Sequence, residues 1–217
     1  MKISPSIASS DILRIADEVM FVNQYFDDIH LDVADGAAVG EISFGLKMCG
    51  RICGLASVPV SLHLEVLHPV QYVEQVKECG FDMVFIQIDC LKNPKEVLRV
   101  YRDYQIPAGI NISNLDLNRK ELRELLDMAE HVLVNTTYHN DPRQILRNDM
   151  LEYALHLADG TRNKVWVDGA ISWDVVKKLQ ESAIYAAVMG RGIFLDKDKA
   201  VENRKSMSGN CVGKQQI

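Results

Sequence analysis

Long apolar runs are missing from this 217-residue chain. No stretch approaches the roughly 18 consecutive apolar residues of a bilayer-spanning helix, which excludes that class and predicts no membrane partner. An excess of basic charge is missing too. Against 24 Lys and Arg stand 30 Asp and Glu, for a net charge of −6 at pH 7 and a pI of about 5.5. That balance argues against nucleic acid and anionic membranes as partners. Proline and glycine are sparse, at six and 13, which excludes collagen-like and low-complexity chains. The five cysteines, Cys49, Cys53, Cys79, Cys90 and Cys211, are odd in number and form no CxxC pair. They predict free thiols in a reducing cytoplasm rather than a disulfide frame. The start, Met1-Lys2-Ile3-Ser4-Pro5, has no signal-peptide-like apolar core, which also predicts a cytoplasmic protein. No GxGxxG and no Walker motif occurs, so the glycine-rich turn of a doubly wound nucleotide fold has no candidate.

What remains is ordinary soluble composition, 47% hydrophobic and 25% charged, on a chain long enough to bury a core without disulfides or metal. Its rhythm is regular. Eight short, β-branched, apolar runs occur at Ile3–Ala8, Asp28–Ala34, Pro59–Val66, Met83–Asp89, Ala108–Ile112, His131–Thr137, Lys164–Asp168 and Ala186–Gly190. Between them lie segments of near-3.6 periodicity, such as Pro69–Cys79, Leu117–Met128 and Asp174–Gln180. Ser9 or Ser10 is placed to cap the helix through Tyr25, and Ser172 to cap a later one. Asn93-Pro94 reads as a helix start and Cys79-Gly80 as a helix end. Strands alternating with helices imply a parallel sheet. Eight such units without a linker predict a single-domain α/β fold, the (β/α)8 barrel, over residues 1–205. Residues 206–217 are small and polar and read as a frayed tail.

The active site of such a barrel lies at the C-terminal ends of its strands. In the second strand His30 and Asp32 are two apart and share one side, with Leu31 and Val33 opposite. In the third, His63 and Glu65 share one side against Leu62 and Leu64. Asp168 ends the seventh. Unpaired charges inside a barrel are expensive, so these groups need partners. Two imidazoles and two carboxylates converging on one point suit a divalent metal ion. Hydrogen-bonded core groups or ion pairs without metal are the other reading of the same residues.

These residues sit in recognisable motifs. His30-Leu31-Asp32-Val33-Ala34-Asp35-Gly36, followed by Ile42-Ser43-Phe44-Gly45, resembles the H-x-D-x-M-D-G…I-T-x-G signature of the ribulose-phosphate 3-epimerase family. His63-Leu64 matches its H-L-M-V, Val167-Asp168-Gly169 its V-D-G-G, and Gly190-Arg191-Gly192-Ile193-Phe194 stands where G-S-A-I-F is usual. The resemblance runs from Met1 to about Phe194. It implies an isomerase that inverts a ketose phosphate of the ribulose 5-phosphate/xylulose 5-phosphate type through an enediolate. By the same resemblance, His30, Asp32, His63 and Asp168 bind one divalent metal ion (Zn, Fe(II), Mn or Co), and Asp32 and Asp168 are the acid–base pair. Ser6 would hydrogen-bond the substrate or the carboxylate, or simply cap backbone at a strand end. A sugar phosphate is the implied small-molecule partner, and a homo-oligomer, dimer or hexamer, the implied assembly.

The chain departs from the family at the site. Ala34 and Glu65 replace shielding methionines, which predicts a more open and acidic site. Glu65 reads as an extra ligand, a substrate contact or a solvated loop carboxylate. Gln87 replaces a histidine on the fourth strand and Asn135 an apolar residue on the sixth, so a more polar pocket wall is expected. The glycine-rich phosphate loop N-P-G-F-G-G-Q is replaced by Tyr138-His139-Asn140-Asp141-Pro142-Arg143-Gln144. Loss of its glycines removes a backbone anion nest, and Asp141 would repel phosphate. Arg143 and Arg191 offer side-chain compensation, with Gly169, Gly190 and Gly192 keeping part of the cradle; both arginines also read as plain surface charges. An epimerase or isomerase of an unphosphorylated sugar, or a non-catalytic barrel used for binding or regulation, are the alternatives. Retention of both aspartates and both histidines favours catalysis.

Overall fold

Alternate residues of a strand face opposite ways, and here each face has its own job. Our computed structural model describes residues 1–138 and 143–209. Eight strands, β1 (Lys2–Pro5), β2 (Ile29–Ala34), β3 (Val60–Glu65), β4 (Met83–Gln87), β5 (Ala108–Ile112), β6 (His131–Asn135), β7 (Lys164–Asp168) and β8 (Ala186–Met189), pair in parallel in the order β1-β8-β7-β6-β5-β4-β3-β2. Outward positions such as Leu31, Leu62, Ile86, Ile110, Val134 and Val167 are buried in one large apolar cluster shared with the helices. The expected (β/α)8 barrel is the fold observed.

Helices α1 (Ile15–Tyr25), α2 (Leu46–Leu55), α3 (Val73–Cys79), α4 (Pro94–Asp103), α5 (Leu122–Met128), α6 (Asn148–Gly160), α7 (Trp173–Leu179), α8 (Arg191–Phe194) and α9 (Lys197–Gly209) alternate with the strands and follow the last. Ser172 caps α7 by accepting from the Val175 N–H, and Gly80 ends α3 in a left-handed conformation at φ +76°. Other termini differ from expectation. Asp11, not Ser9 or Ser10, accepts from the Leu13 N–H at the start of the α1 segment. The Leu117–Met128 helix is shortened because Asp116 captures the Ser113 N–H and hydroxyl, holding the preceding residues in turns. The polar segment after 205 begins inside a helix. Lys197 pairs with Glu18 at 2.6 Å and Arg204 with Asp27 at 2.8 Å, tying α9 to the barrel. Residues 210–217, including Cys211, lie outside the described residues. The four described cysteines are free, and among the described residues no helix is long and apolar enough to cross a membrane.

Side chains help to close the barrel where β1 meets β2. Beside the single parallel bridge between Ser6 and His30, the Ile3 N–H donates to Asp27 at 3.0 Å. Ser4 and Ser6 donate their hydroxyls to Asp28 and Asp32, at 2.5 and 2.7 Å.

The lower interior is a plug of Met83, Phe85, Leu133, Trp166, Ala186 and Val188. Gly109 is required beside it, since a Cβ there would lie 2.2 Å from the His131 carbonyl oxygen. The Trp166 indole donates to His131 Nδ1 at 2.9 Å, so that nitrogen must carry a lone pair. Burial, then the nearby Lys164 ammonium, push the His131 pKa down to about 4. The unfolded chain binds this proton near pH 6.5 and the folded chain only near 4. The contribution of His131 to stability is therefore fully present above pH 6.5 and lost as pH falls towards 4. Urea unfolding of wild type and His131→Gln across that window checks this: the difference between them should shrink as pH drops, and a pH-independent difference contradicts it.

Candidate active site

Inward positions turn polar where the strands reach the C-terminal end of the barrel. The register sets Asp32 beside His63 and Asn135 beside Asp168. One potential ligand atom from each of His30, Asp32, His63 and Asp168 lies within 4.8 Å of the other three. His30 Nε2 is 3.4 Å, and His63 Nδ1 3.5 Å, from the same Asp32 oxygen. The four residues singled out by strand register are thus brought together. His30 Nε2 is buried without a hydrogen-bond partner. A buried nitrogen left bare while facing two carboxylates and a second imidazole fits a cation-binding role. His63 is steadied from behind by Gln87, whose Oε1 lies 2.8 Å from His63 Nε2.

The charges are strongly coupled. Burial opposes ionisation of Asp32, but the two imidazoles outweigh it and hold its pKa well below the usual carboxylate range. Burial, then the Asp32 charge, raise Asp168 to about 6. For His63 burial is again outweighed, by Glu65, Asp32 and Asp168, and its pKa rises to about 10. The two aspartates are therefore pushed apart, Asp32 held ionised and Asp168 the more readily protonated of the two, a pattern of acid–base pairs.

Glu65 ends β3 facing the site, 3.9 Å from His63 Nδ1, with its side chain only 19% exposed. It is not a solvated loop carboxylate; burial lifts its pKa to about 7. Ser6 makes no side-chain cap bond, and its hydroxyl donates to Asp32 Oδ2. Asn135 lines the open cavity above the cluster, about 1000 Å³ in volume, as do Gly169, Gly190 and Arg191. Gln87 is not among the lining residues, because it stands behind His63. Arg143 is exposed and is likewise not among the lining residues described. The 139–142 stretch of the altered loop, with Asp141, lies outside the described residues.

Further residues brace the site from the loops after the strands. Thr136 directs both its N–H (2.6 Å) and its hydroxyl (2.9 Å) at the Asp168 carbonyl, and the hydroxyl also reaches the Gly169 carbonyl. Ser43 fastens the end of β2, donating to the Asp32 carbonyl at 2.5 Å and accepting from the Ala34 N–H. Trp173 donates to the Gly192 carbonyl at 2.8 Å, joining the loops after β7 and β8. Ser43 stood within the Ile42-Ser43-Phe44-Gly45 motif, whereas Thr136 and Trp173 carried only a position in the loop after a strand.

The family model described as "Ribulose-phosphate 3 epimerase family" matches residues 2–194. Relatives named ribulose-phosphate 3-epimerase include one from Helicobacter pylori strain J99, 26% identical over 204 residues, covering 92% of this chain and 93% of its own. One from Aquifex aeolicus is 24% identical, covering 95% of each chain. One from Bacillus subtilis is 21% identical, covering 92% and 94%. Among solved structures, KGPDC from Streptococcus mutans superposes with a TM-score of 0.69 at 15% identity, covering 98% of this chain and 99% of its own. Phosphoribosyl anthranilate isomerase from Thermococcus kodakaraensis gives 0.67 at 14%, covering 96% and 99%. These two show a shared barrel fold.

Past Asp168 the backbone turns left-handed twice, at Gly169 (φ +107°) and Ala170 (φ +56°). A Cβ on Gly169 would sit 2.8 Å from Thr137 Cγ2, so that glycine is required. Ala170 holds the same hand with a side chain, at a cost of about 1–2 kcal/mol. A glycine would relieve that strain, offset by roughly 0.4–1 kcal/mol of added unfolded-state freedom. Ala170→Gly should therefore be neutral to about 1 kcal/mol stabilising by urea unfolding. A loss of about 1 kcal/mol, usual for glycine in ordinary backbone, would contradict the strain.

Proposed function

The chain belongs to the ribulose-phosphate 3-epimerase family, and we propose that it inverts C3 of a phosphorylated pentulose, interconverting ribulose 5-phosphate and xylulose 5-phosphate. Inversion beside a ketone removes a carbon-bound proton from one face and returns one to the other. It needs two proton carriers on opposite sides of one carbon. The observation that carries the reading is the pair Asp32 and Asp168. They come from β2 and β7, three strands apart around the wall, meet over one cavity, and have pKa values driven in opposite directions.

Asp32, ionised and steered by Ser6, takes the proton from C3. The C–H electron pair moves into a C2–C3 double bond and the carbonyl oxygen gains the negative charge of an enediolate. Asp168 in its protonated form delivers its proton to the opposite face of C3; in the reverse direction the roles exchange. His30, Asp32, His63 and Asp168 would hold one divalent ion, Zn, Fe(II), Mn or Co, which supplies electrophilic polarisation of the carbonyl. The phosphate would rest on the backbone of Gly169, Ala170 and Gly190, with Arg191 at the mouth and Arg143 closing from the sixth loop. The left-handed Gly169–Ala170 turn supports an anion-binding backbone despite the altered loop. A homo-oligomeric assembly and a cytoplasmic setting belong to the same reading.

Ribulose 5-phosphate incubated with enzyme in D₂O tests it. Wild type should yield xylulose 5-phosphate deuterated at C3. Asp32→Asn and Asp168→Asn should each lower kcat on the order of 10²–10⁴. Deuterium entering one epimer without conversion to the other would mark the surviving face. Arg191→Ala should raise KM for the phosphate ester and leave the free sugar unaffected. Full epimerisation by either aspartate variant contradicts the assignment.

A further inference from the structure

A further buried carboxylate lies two residues before His30, immediately ahead of β2 and on the same inward side. Asp28 is 3% exposed, in the lower interior and away from the cavity-lining residues. A carboxylate this deep is expensive unless its oxygens are satisfied. Two fully buried hydroxyls satisfy one of them: Ser4 donates to Asp28 Oδ1 at 2.5 Å and Ser61 donates to the same oxygen at 2.8 Å. Ser61 Oγ also lies 2.9 Å from His30 Nδ1 and 3.2 Å from the Ile29 carbonyl.

Donor counting orders this chain. A hydroxyl has one hydrogen and an oxygen that also accepts. The Asp28 carboxylate and the Ile29 carbonyl only accept, so the Ser61 hydrogen is committed to them. Toward His30, Ser61 is left with a lone pair, and His30 Nδ1 must bring the hydrogen. His30 Nε2 is then the ring position open to the cluster, and it is the buried atom without a hydrogen-bond partner.

We propose that Asp28 is a positioning residue: acting through Ser61, it fixes the ring plane and the Nδ1 hydrogen of His30, so that Nε2 is presented as a cation ligand. This rests on the cation reading of the four-residue cluster given above. Partners of this kind orient ligating histidines and typically matter 10–100-fold in metal affinity. The inserted hydroxyl lets a carboxylate just ahead of the second strand act on that strand's histidine by way of the third.

Two measurements at pH 8 test it on the full-length protein, each variant first checked for native circular dichroism. The first is Mn²⁺ titration of metal-free protein. Ser61→Ala and Asp28→Leu should raise Kd roughly 10–100-fold, while Asp28→Asn, which keeps an acceptor at Oδ1, and Ser4→Ala, which removes the hydroxyl not linked to His30, stay within about threefold. The second uses ¹⁵N-histidine labelling without added metal. Wild type should show a slowly exchanging downfield ring proton on His30 Nδ1, kept in Ser4→Ala and lost in Ser61→Ala. Wild-type Mn²⁺ affinity in Ser61→Ala, or no such proton in wild type, overturns the relay. If wild type binds no Mn²⁺ yet shows the proton and loses it in Ser61→Ala, the cation reading fails and the relay's hydrogen-bond order stands.

Discussion

Asp32 carries a negative charge into the interior of a closed sheet, and the surrounding structure is built to bear it. An isolated buried carboxylate would neutralise itself by taking up a proton. Here two imidazoles approach one of its oxygens at 3.4 and 3.5 Å and Ser6 donates to the other. Ser43 pins its backbone from the loop that follows. The cost of that charge reappears at Asp168, which cannot ionise freely beside it. One constraint thus yields an ionised and a protonatable carboxylate over the same cavity, which is what proton transfer across two faces of a carbon requires.

The barrel separates this cluster from a different lower interior. Trp166 and Phe85, with ring centroids 5.2 Å apart, fill the plug with His131 kept neutral beside them. On the N-terminal side of His30 lies a polar seam of Ser4, Asp28 and Ser61, in which the same Asp28 oxygen serves the β1–β2 closure through Ser4 and the orientation of His30 through Ser61. Across the barrel, Thr136 grips the Asp168 backbone, and the left-handed turn at Gly169 and Ala170 carries the chain over Thr137.

Much of this was legible in the residues themselves. Eight apolar runs alternating with helical segments exposed the barrel; period-two alternation around Leu31 and Leu62, with Asp168 at a strand end, exposed the set of His30, Asp32, His63 and Asp168. The Asp28–Ser61–Ser4 seam was not legible, since it joins three strands through hydroxyls that single strands scatter anywhere. Gln87 read as part of the pocket wall, yet it stands behind His63, a placement decided by how deep its strand position lies. Arg143 is exposed and is not among the cavity-lining residues described, so its reach towards a phosphate belongs to the proposed function alone. The segment after 205 read as a tail because it is polar. The ion pairs to Glu18 and Asp27 that anchor its helix span nearly the whole chain and leave no local trace.

The central claim is that four inward side chains from β2, β3 and β7 make one divalent-cation site on the catalytic face. Anomalous diffraction at the zinc edge, from crystals grown with Zn²⁺, addresses it most directly. The account predicts a single strong peak bounded by His30 Nε2, His63 Nδ1 and the carboxylates of Asp32 and Asp168, absent from crystals of His30→Ala. A map with no peak there, while zinc is present elsewhere in the crystal, would contradict it.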